Sequence, residues 1–292
     1  MVTSSNLSYQ LGSRVDQVTI INQKPSLSIV IYYLSLLKDD MLMVQLSDLH
    51  VSNGFKRDML EKAIDEVNSI SPDLIVITGD ITENGTISEY ESAKRYMDML
   101  KCKDVIILSG NHDYRNTGYL IFKSIFSDRI KQFYSNDECI ITVLSTARPD
   151  RDEGEVGYRQ NLWLYNTLSK YSNDGRVKIV AMHHHLIPIP DTGSDRIIVV
   201  DAGDVLYTAL ISKVNLVLCG HKHRPWLWRL GDLLVAYAGT VSSERMRGFF
   251  YNTYNIIDIG KDKEISIRLK IVDGREMALQ DVVNSREITL GE

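Results

Sequence analysis

Cysteine is scarce in this chain. Three residues in 292, Cys102, Cys139 and Cys219, cannot form a disulfide framework, and their spacings do not make a zinc knuckle. So few thiols point to a reducing compartment, and the cytoplasm is the expected location. Long apolar runs are missing too. The nearest is Leu27–Leu37, which Lys38-Asp39-Asp40 interrupts well short of the ~20 residues a bilayer requires. No basic stretch precedes it, so no secretory signal is read and no membrane partner is expected. Positive charge is not in surplus: the formal net charge is −5. That balance argues against a broad grip on nucleic acid, and no duplex is expected as a partner. Internal repeats and low-complexity tracts are absent as well.

The rest is ordinary globular composition, with 44% hydrophobic and 24% charged residues. Residues 1–40 stand apart as an N-terminal extension, rich in Ser, Asn and Gln with β-branched clusters at Val18–Ile21 and Ile29–Tyr33. Two readings compete for it: an extra strand or arm, or an over-long translation start with Met41 or Met43 as the true beginning. A single domain is expected over 41–273, followed by a polar tail over 274–292.

Within that domain the pattern is strand, loop, helix, repeated. Leu42–Leu46, Leu74–Thr78 and Val105–Leu108 are near-continuous apolar runs, as strands buried on both faces require. Lys56–Ile70 and Ser88–Leu100 carry apolar residues at helical spacing between them. Tyr119–Ile130, Asn161–Lys170 and Ala202–Ile211 read as further helices, and Ile140–Leu144, Val177–Met182 and Val214–Cys219 as further strands. The reading then turns antiparallel, with Trp226–Arg229, Leu233–Tyr237, Phe249–Ile259 and Glu264–Val272 separated by turn residues. The fold class is α/β (α+β in some schemes).

Five short blocks follow predicted strands: Asp48-Leu49-His50, Gly79-Asp80, Gly110-Asn111-His112-Asp113, His183-His184-His185 and Gly220-His221-Lys222-His223. Each offers oxygen or imidazole nitrogen, the ligands of divalent transition metals. The carboxyl ends of strands in an open α/β sheet form one crevice, so residues distant in sequence can meet there. Singly, each block is an ordinary turn or a hydrogen-bonded histidine. As an ordered set they supply enough ligands for two ions sharing one carboxylate, the usual device for activating water against a phosphoryl group.

In this order the blocks resemble the calcineurin-like metallophosphoesterase superfamily, over roughly residues 41–272. The run His183-His184-His185-Leu186-Ile187-Pro188 and the compact size are similar to its class III cyclic-nucleotide phosphodiesterase branch. The resemblance implies a four-layer αββα sandwich of two mixed sheets flanked by helices. It implies that Asp48, His50 and His223 hold one metal, that Asn111, His183 and His221 hold a second, and that Asp80 bridges them. A hydroxide between the ions would be the nucleophile. His112 would face the substrate, and Asp113 would orient His112 from behind. Manganese, iron, zinc and cobalt all suit this ligand set. The substrate implied is a small phosphoester, preferably a diester and a cyclic nucleotide among the candidates, and a homodimer is compatible with the family. The alternatives are phosphomonoester or pyrophosphate hydrolysis, and a scaffold that has lost catalysis.

The His cluster stays open at this point. Alternation along a strand places His183 and His185 on one side and His184 on the other; the family pattern favours His183 as ligand, with His184 further out. Four loop arginines, Arg148, Arg151, Arg159 and Arg196, are candidates to clamp a terminal dianion. Lys222 reads as solvated, the arginines of 238–247 as a surface turn, and Trp226 and Trp228 as sheet packing.

Overall fold

The structure is a computed structural model describing residues 40–193 and 197–284. The N-terminal extension and Arg196 lie outside the described residues. Two six-stranded sheets form the centre. In the first, β1 (Met41–Leu46), β2 (Leu74–Thr78) and β3 (Asp104–Leu108) run parallel. β10 (Thr253–Ile259), β11 (Ile265–Ile271) and β12 (Glu276–Ala278) extend it antiparallel beyond β1. In the second, β5 (Cys139–Val143), β6 (Val177–Ala181), β7 (Leu216–Cys219) and β9 (Leu233–Tyr237) are parallel. Its edges are β4 (Phe133–Ser135) and β8 (Trp226–Leu230), both antiparallel.

Apolar side chains follow the two faces of each strand. Met43, Val76 and Ile106 of the first sheet meet Ile141, Ile179 and Leu216 of the second in a core between the sheets. The alternate residues Val44, Ile75 and Ile77 pack under α1 (Arg57–Ile70), α2 (Ile87–Met97) and α3 (Gly118–Ile125). Val180, Val217 and Val235 pack under α4 (Tyr158–Ser169) and α5 (Ala202–Ile211). The result is the expected αββα sandwich. No helix among the described residues is long and apolar enough to cross a membrane.

Four local expectations change. The third helix stops at Ile125 rather than Ile130, because the Arg129 carbonyl turns to accept Ile107 N–H at the edge of β3. Strand β4 was not expected. β10 begins at Thr253 rather than Phe249, leaving Phe250 and Tyr251 exposed. The polar tail is partly structured: β12 pairs with β11, and Leu279 and Val282 of α6 (Leu279–Asn284) are buried in the inter-sheet core. Two apolar anchors in so short a helix leave no readable period.

Candidate metal centre

All five blocks leave the carboxyl ends of parallel strands, and the structure brings them together. Asp48 follows β1, Asp80 follows β2, Asn111 and His112 follow β3, His183 follows β6, and His221 and His223 follow β7. The chain must turn sharply at each exit. Asp48, His50, Asp80, His221 and His223 all have left-handed backbone, with φ of 54°, 50°, 51°, 74° and 54°. For residues with a Cβ this costs about 1 kcal/mol or more apiece, a concentration of strain expected where geometry serves a site. The glycines allow close approach. A Cβ on Gly110 would lie 2.1 Å from Asp80 Oδ1, and one on Gly220 would lie 2.0 Å from Ser47 Oγ.

The side chains are almost wholly buried, and their polar atoms converge. Three groups each bring their ligand atoms within 4.8 Å of one another: Asp48, His50 and His223; His50, Asp80 and His112; Asp80, His183 and His221. Asn111 joins the last, its Oδ1 at 3.1 Å from His183 Nε2 and 3.0 Å from His221 Nδ1. The Asn111 amide nitrogen donates to Asp152 Oδ1 at 3.3 Å, which fixes the orientation of the oxygen.

The outer hydrogen bonds decide which ring nitrogens carry lone pairs. His50 Nδ1 donates to Glu83 Oε2 at 2.8 Å, His183 Nδ1 to the Thr78 carbonyl at 2.7 Å, and His223 Nδ1 to the Arg245 carbonyl. In neutral rings this directs every Nε2 lone pair inward. His50 Nε2 and His223 Nε2 then face each other at 2.9 Å. His183 Nε2 faces Asn111 Oδ1 and lies 3.3 Å from Asp80 Oδ2. Acceptors aimed at acceptors need a cation, or a proton, between them. The donor set therefore fits divalent metal.

The electrostatics of the metal-free chain agree. Burial alone would push the Asp80 carboxyl up, but His183 and His112 outweigh it and hold it well below the usual range. Asp48 is likewise net lowered, burial being outweighed by His223. Burial lowers His183, but Asp80 and Asp48 raise it to about 9, so a proton takes the place of a cation there. His50 is lowered to about 4, chiefly by burial.

His183, rather than His185, reaches the cluster. The His184 ring is sealed between Thr146 Oγ1 (2.8 Å) and the Asp152 carbonyl (3.1 Å). His185 stacks on His221 at 5.5 Å between ring centres, and neither of its ring nitrogens has a hydrogen-bond partner. The alternation expected of a strand ends with β6, so His183 and His184 are edge-to-face neighbours instead of opposed.

His112 is 7% exposed. Its Nδ1 lies 2.8 Å from the Glu83 carbonyl, leaving Nε2 as the working nitrogen. Burial lowers its proton affinity, but Asp80 and Glu83 raise it further, and the net direction is up. Asp113 does not take the place expected behind this ring. Its carboxylate accepts Ile81 N–H, Thr82 N–H, Thr82 O–H and Gly110 N–H, tying the loop after β2 to the loop after β3. A carboxylate already holding four donors has nothing left for His112.

Glu83, three residues after Asp80, occupies that place. Its carboxylate meets His50, His112, Arg115 and Arg245. Burial pushes it up, but the bonds from His112 and His50 hold it far below the ordinary range. No residue-type signal singled it out in the sequence beyond an acid close to Gly79-Asp80. The 238–247 segment is not a plain surface turn either, since the Arg245 carbonyl holds His223 and the Arg247 guanidinium reaches the Thr192 carbonyl. Lys222 is buried, not solvated. Trp226 and Trp228 pack on the sheet as expected, and Trp228 Nε1 donates to the Pro188 carbonyl at 3.0 Å. A cavity of about 830 Å³ opens elsewhere, around Lys178 at the start of β6, the far end from His183.

Comparison with known proteins supplies a family. Residues 41–225 match the Calcineurin-like phosphoesterase family. A protein of Ruthia magnifica subsp. Calyptogena magnifica named a probable cyclic nucleotide phosphodiesterase is 28% identical over 235 residues, covering 75% of this chain and 94% of that protein. A probable glycerophosphodiester phosphodiesterase of Arcobacter nitrofigilis is 28% identical over 230 residues, 70% of this chain and 80% of that one. Among solved structures, a dimetal phosphatase from Danio rerio superposes with a TM-score of 0.63 at 12% identity, covering 82% of this chain and 98% of that one. This last likeness concerns the fold.

Proposed function

The chain belongs to the calcineurin-like phosphoesterase family, a group of metal-dependent hydrolases, and from that premise we propose that it hydrolyses small phosphodiesters, with cyclic nucleotides the first class to test. The observation that carries the reading is the inward convergence of acceptors on Asp48, His50, Asp80, Asn111, His183, His221 and His223. Asp48, His50 and His223 would hold one divalent ion, Asn111, His183 and His221 a second, and Asp80 would serve both. Manganese, iron, zinc or cobalt would suit the donors. Such ions would supply an activated water and offset the charge on the phosphoryl oxygens.

The chain's own residues do the remaining work. His112 keeps Nδ1 on the Glu83 carbonyl, and Asp80 and Glu83 raise its proton affinity, which favours a proton on Nε2 as well. It can hydrogen-bond a phosphoryl oxygen and then donate that proton to the leaving alcohol. Glu83 keeps the His50 and His112 rings oriented. Asp113 acts one step further out, by fixing the two loops that present Asp80 and His112.

A diester is favoured over a monoester because four arginines that could clamp a second phosphate charge, Arg148, Arg151, Arg115 and Arg245, are already engaged. Arg148 pairs with Glu153 and Glu155, Arg151 with Glu153, and Arg115 and Arg245 with Glu83. The relatives named as phosphodiesterases support the same choice. Three free thiols suit a reducing compartment, so the cytoplasm belongs to the proposal. The test compares bis-p-nitrophenyl phosphate with p-nitrophenyl phosphate, with added Mn²⁺ and with chelator. Metal-dependent cleavage of the diester, with kcat/KM at least about 10-fold above the monoester, is expected. Preference for the monoester would shift the assignment to phosphomonoester or pyrophosphate hydrolysis. No turnover of either by metal-loaded protein would favour a scaffold.

A further inference from the structure

Helices α4 and α5 show far less charge to solvent than α1 and α2 do. α1 carries six charged residues in 14. α4 carries one in 12, Arg159, and α5 one in 10, Asp204. In place of charge, α4 exposes Tyr158 (80%), Leu162 and Tyr165 at i, i+4 and i+7, a single stripe along the helix. α5 exposes Tyr207 (65%), Leu210 and Ile211 at i, i+3 and i+4, and Val200 is exposed just before it. A surface helix of a monomer is expected to be polar on that side.

The two stripes form one patch. α4 and α5 each lead into a strand of the same parallel set, β6 and β7, so they run in the same direction. Their amino ends are fastened together, because Asp201 accepts both Val156 N–H (3.0 Å) and Gly157 N–H (2.7 Å). With 150–250 Å² as the area of a large side chain, the seven residues expose on the order of 700 Å². That exceeds the roughly 300–600 Å² typical of the largest patch on a monomer. It approaches the roughly 800 Å² per partner of a stable interface.

We propose that the α4–α5 face is the contact between two copies of this chain, related by a two-fold axis running along the groove between the helices. Such an axis lays α4 of each copy on α5 of the other, amino end beside amino end. Arg159 of each copy then stands opposite Asp204 of the other. Both are exposed near those amino ends, and neither has an ion-pair partner among the described residues. The self-complementarity is therefore both apolar and electrostatic, as an isologous interface requires. The patch continues to the metal centre along one chain: Val200 N–H donates to the Gly154 carbonyl at 2.9 Å, and a Cβ on Gly154 would meet the His184 ring.

Sedimentation velocity of the full chain over about 1–100 µM tests this, together with Tyr207→Glu and the charge reversals Arg159→Asp and Asp204→Arg. The wild type is expected to be a dimer. Tyr207→Glu should weaken it about 100-fold or more, as removal of a central aromatic anchor does, with an unchanged far-ultraviolet circular dichroism spectrum. Each single reversal should weaken the dimer, and the double reversal should restore it. A wild type that stays monomeric throughout, or that stays monomeric and pellets with anionic vesicles, would overturn the proposal. So would a dimer indifferent to Tyr207→Glu, or single reversals that the double does not rescue.

Discussion

Raising the pH from 7 to 9 should strengthen metal binding in a calculable way. In the metal-free chain His183 is held at about 9 by the Asp80 and Asp48 carboxylates, which outweigh its burial. His50, lowered to about 4, and His221, far below its ordinary value, are already neutral and ready to coordinate. Among these ligand histidines, His183 is the one whose raised proton affinity makes an entering ion displace a proton near neutrality. Well below pH 9 the binding constant should then rise nearly tenfold per pH unit, and less steeply as pH 9 is approached. Between pH 7 and 9 the gain is about 50-fold, or about 2 kcal/mol. Titration calorimetry in two buffers of different ionisation enthalpy should report about one proton released per chain at pH 7 and fewer at pH 9. Stability moves the opposite way without metal. A histidine raised in the folded state contributes stability that is fully present below its unfolded value near 6.5 and is lost as the pH climbs through about 9. The difference corresponds to about 3 kcal/mol. The chelated protein should therefore lose thermal stability across that window while the loaded protein does not. Metal affinity that is flat from pH 7 to 9, with no proton release, would refute the assignment of His183 to the centre.

Other substitutions separate chemistry from scaffolding. His112→Ala should lower kcat about 10²–10⁴-fold, the usual contribution of a proton-transfer group, while bound metal measured by atomic absorption stays at the wild-type level. Asp113→Ala strands four buried donors, on Gly110, Ile81 and twice on Thr82. At about 1 kcal/mol or more each, urea denaturation should show a loss of about 3–5 kcal/mol, whereas His112→Ala should cost little. Gly220→Ala puts a methyl group 2.0 Å from Ser47 Oγ and 2.7 Å from Asp48 Oδ2. It should weaken metal binding about 10–100-fold, as losses of ligand support do, and equilibrium dialysis would detect this.

The parallel core was legible because buried strands such as Leu74–Thr78 are apolar throughout and helices such as Arg57–Ile70 keep one buried face. The site was legible for a related reason. Strand ends are fixed by the core, so the residue types just beyond them are gathered whatever the loops do. What escaped depended on loop paths. The choice among His183, His184 and His185 turned on how the chain leaves β6, where alternation no longer applies. Asp113 adjoins His112 in sequence, yet its side chain points away to backbone donors. Glu83 works through a loop whose course only the packed structure reveals. The same holds for Arg245, whose contribution to His223 is a backbone carbonyl and so leaves no mark in the residue type. β12 and α6 are too short to show a period, and they persist because Leu279 and Val282 are buried against the sheets.

Anomalous diffraction from crystals of the full chain grown with Mn²⁺ tests the central claim most directly. The account predicts two manganese peaks per chain. One should contact Asp48, His50 Nε2 and His223 Nε2, and the other Asn111 Oδ1, His183 Nε2 and His221 Nδ1, with Asp80 touching both. A single peak, or a second ion held by His185 with His183 left outside, would contradict it.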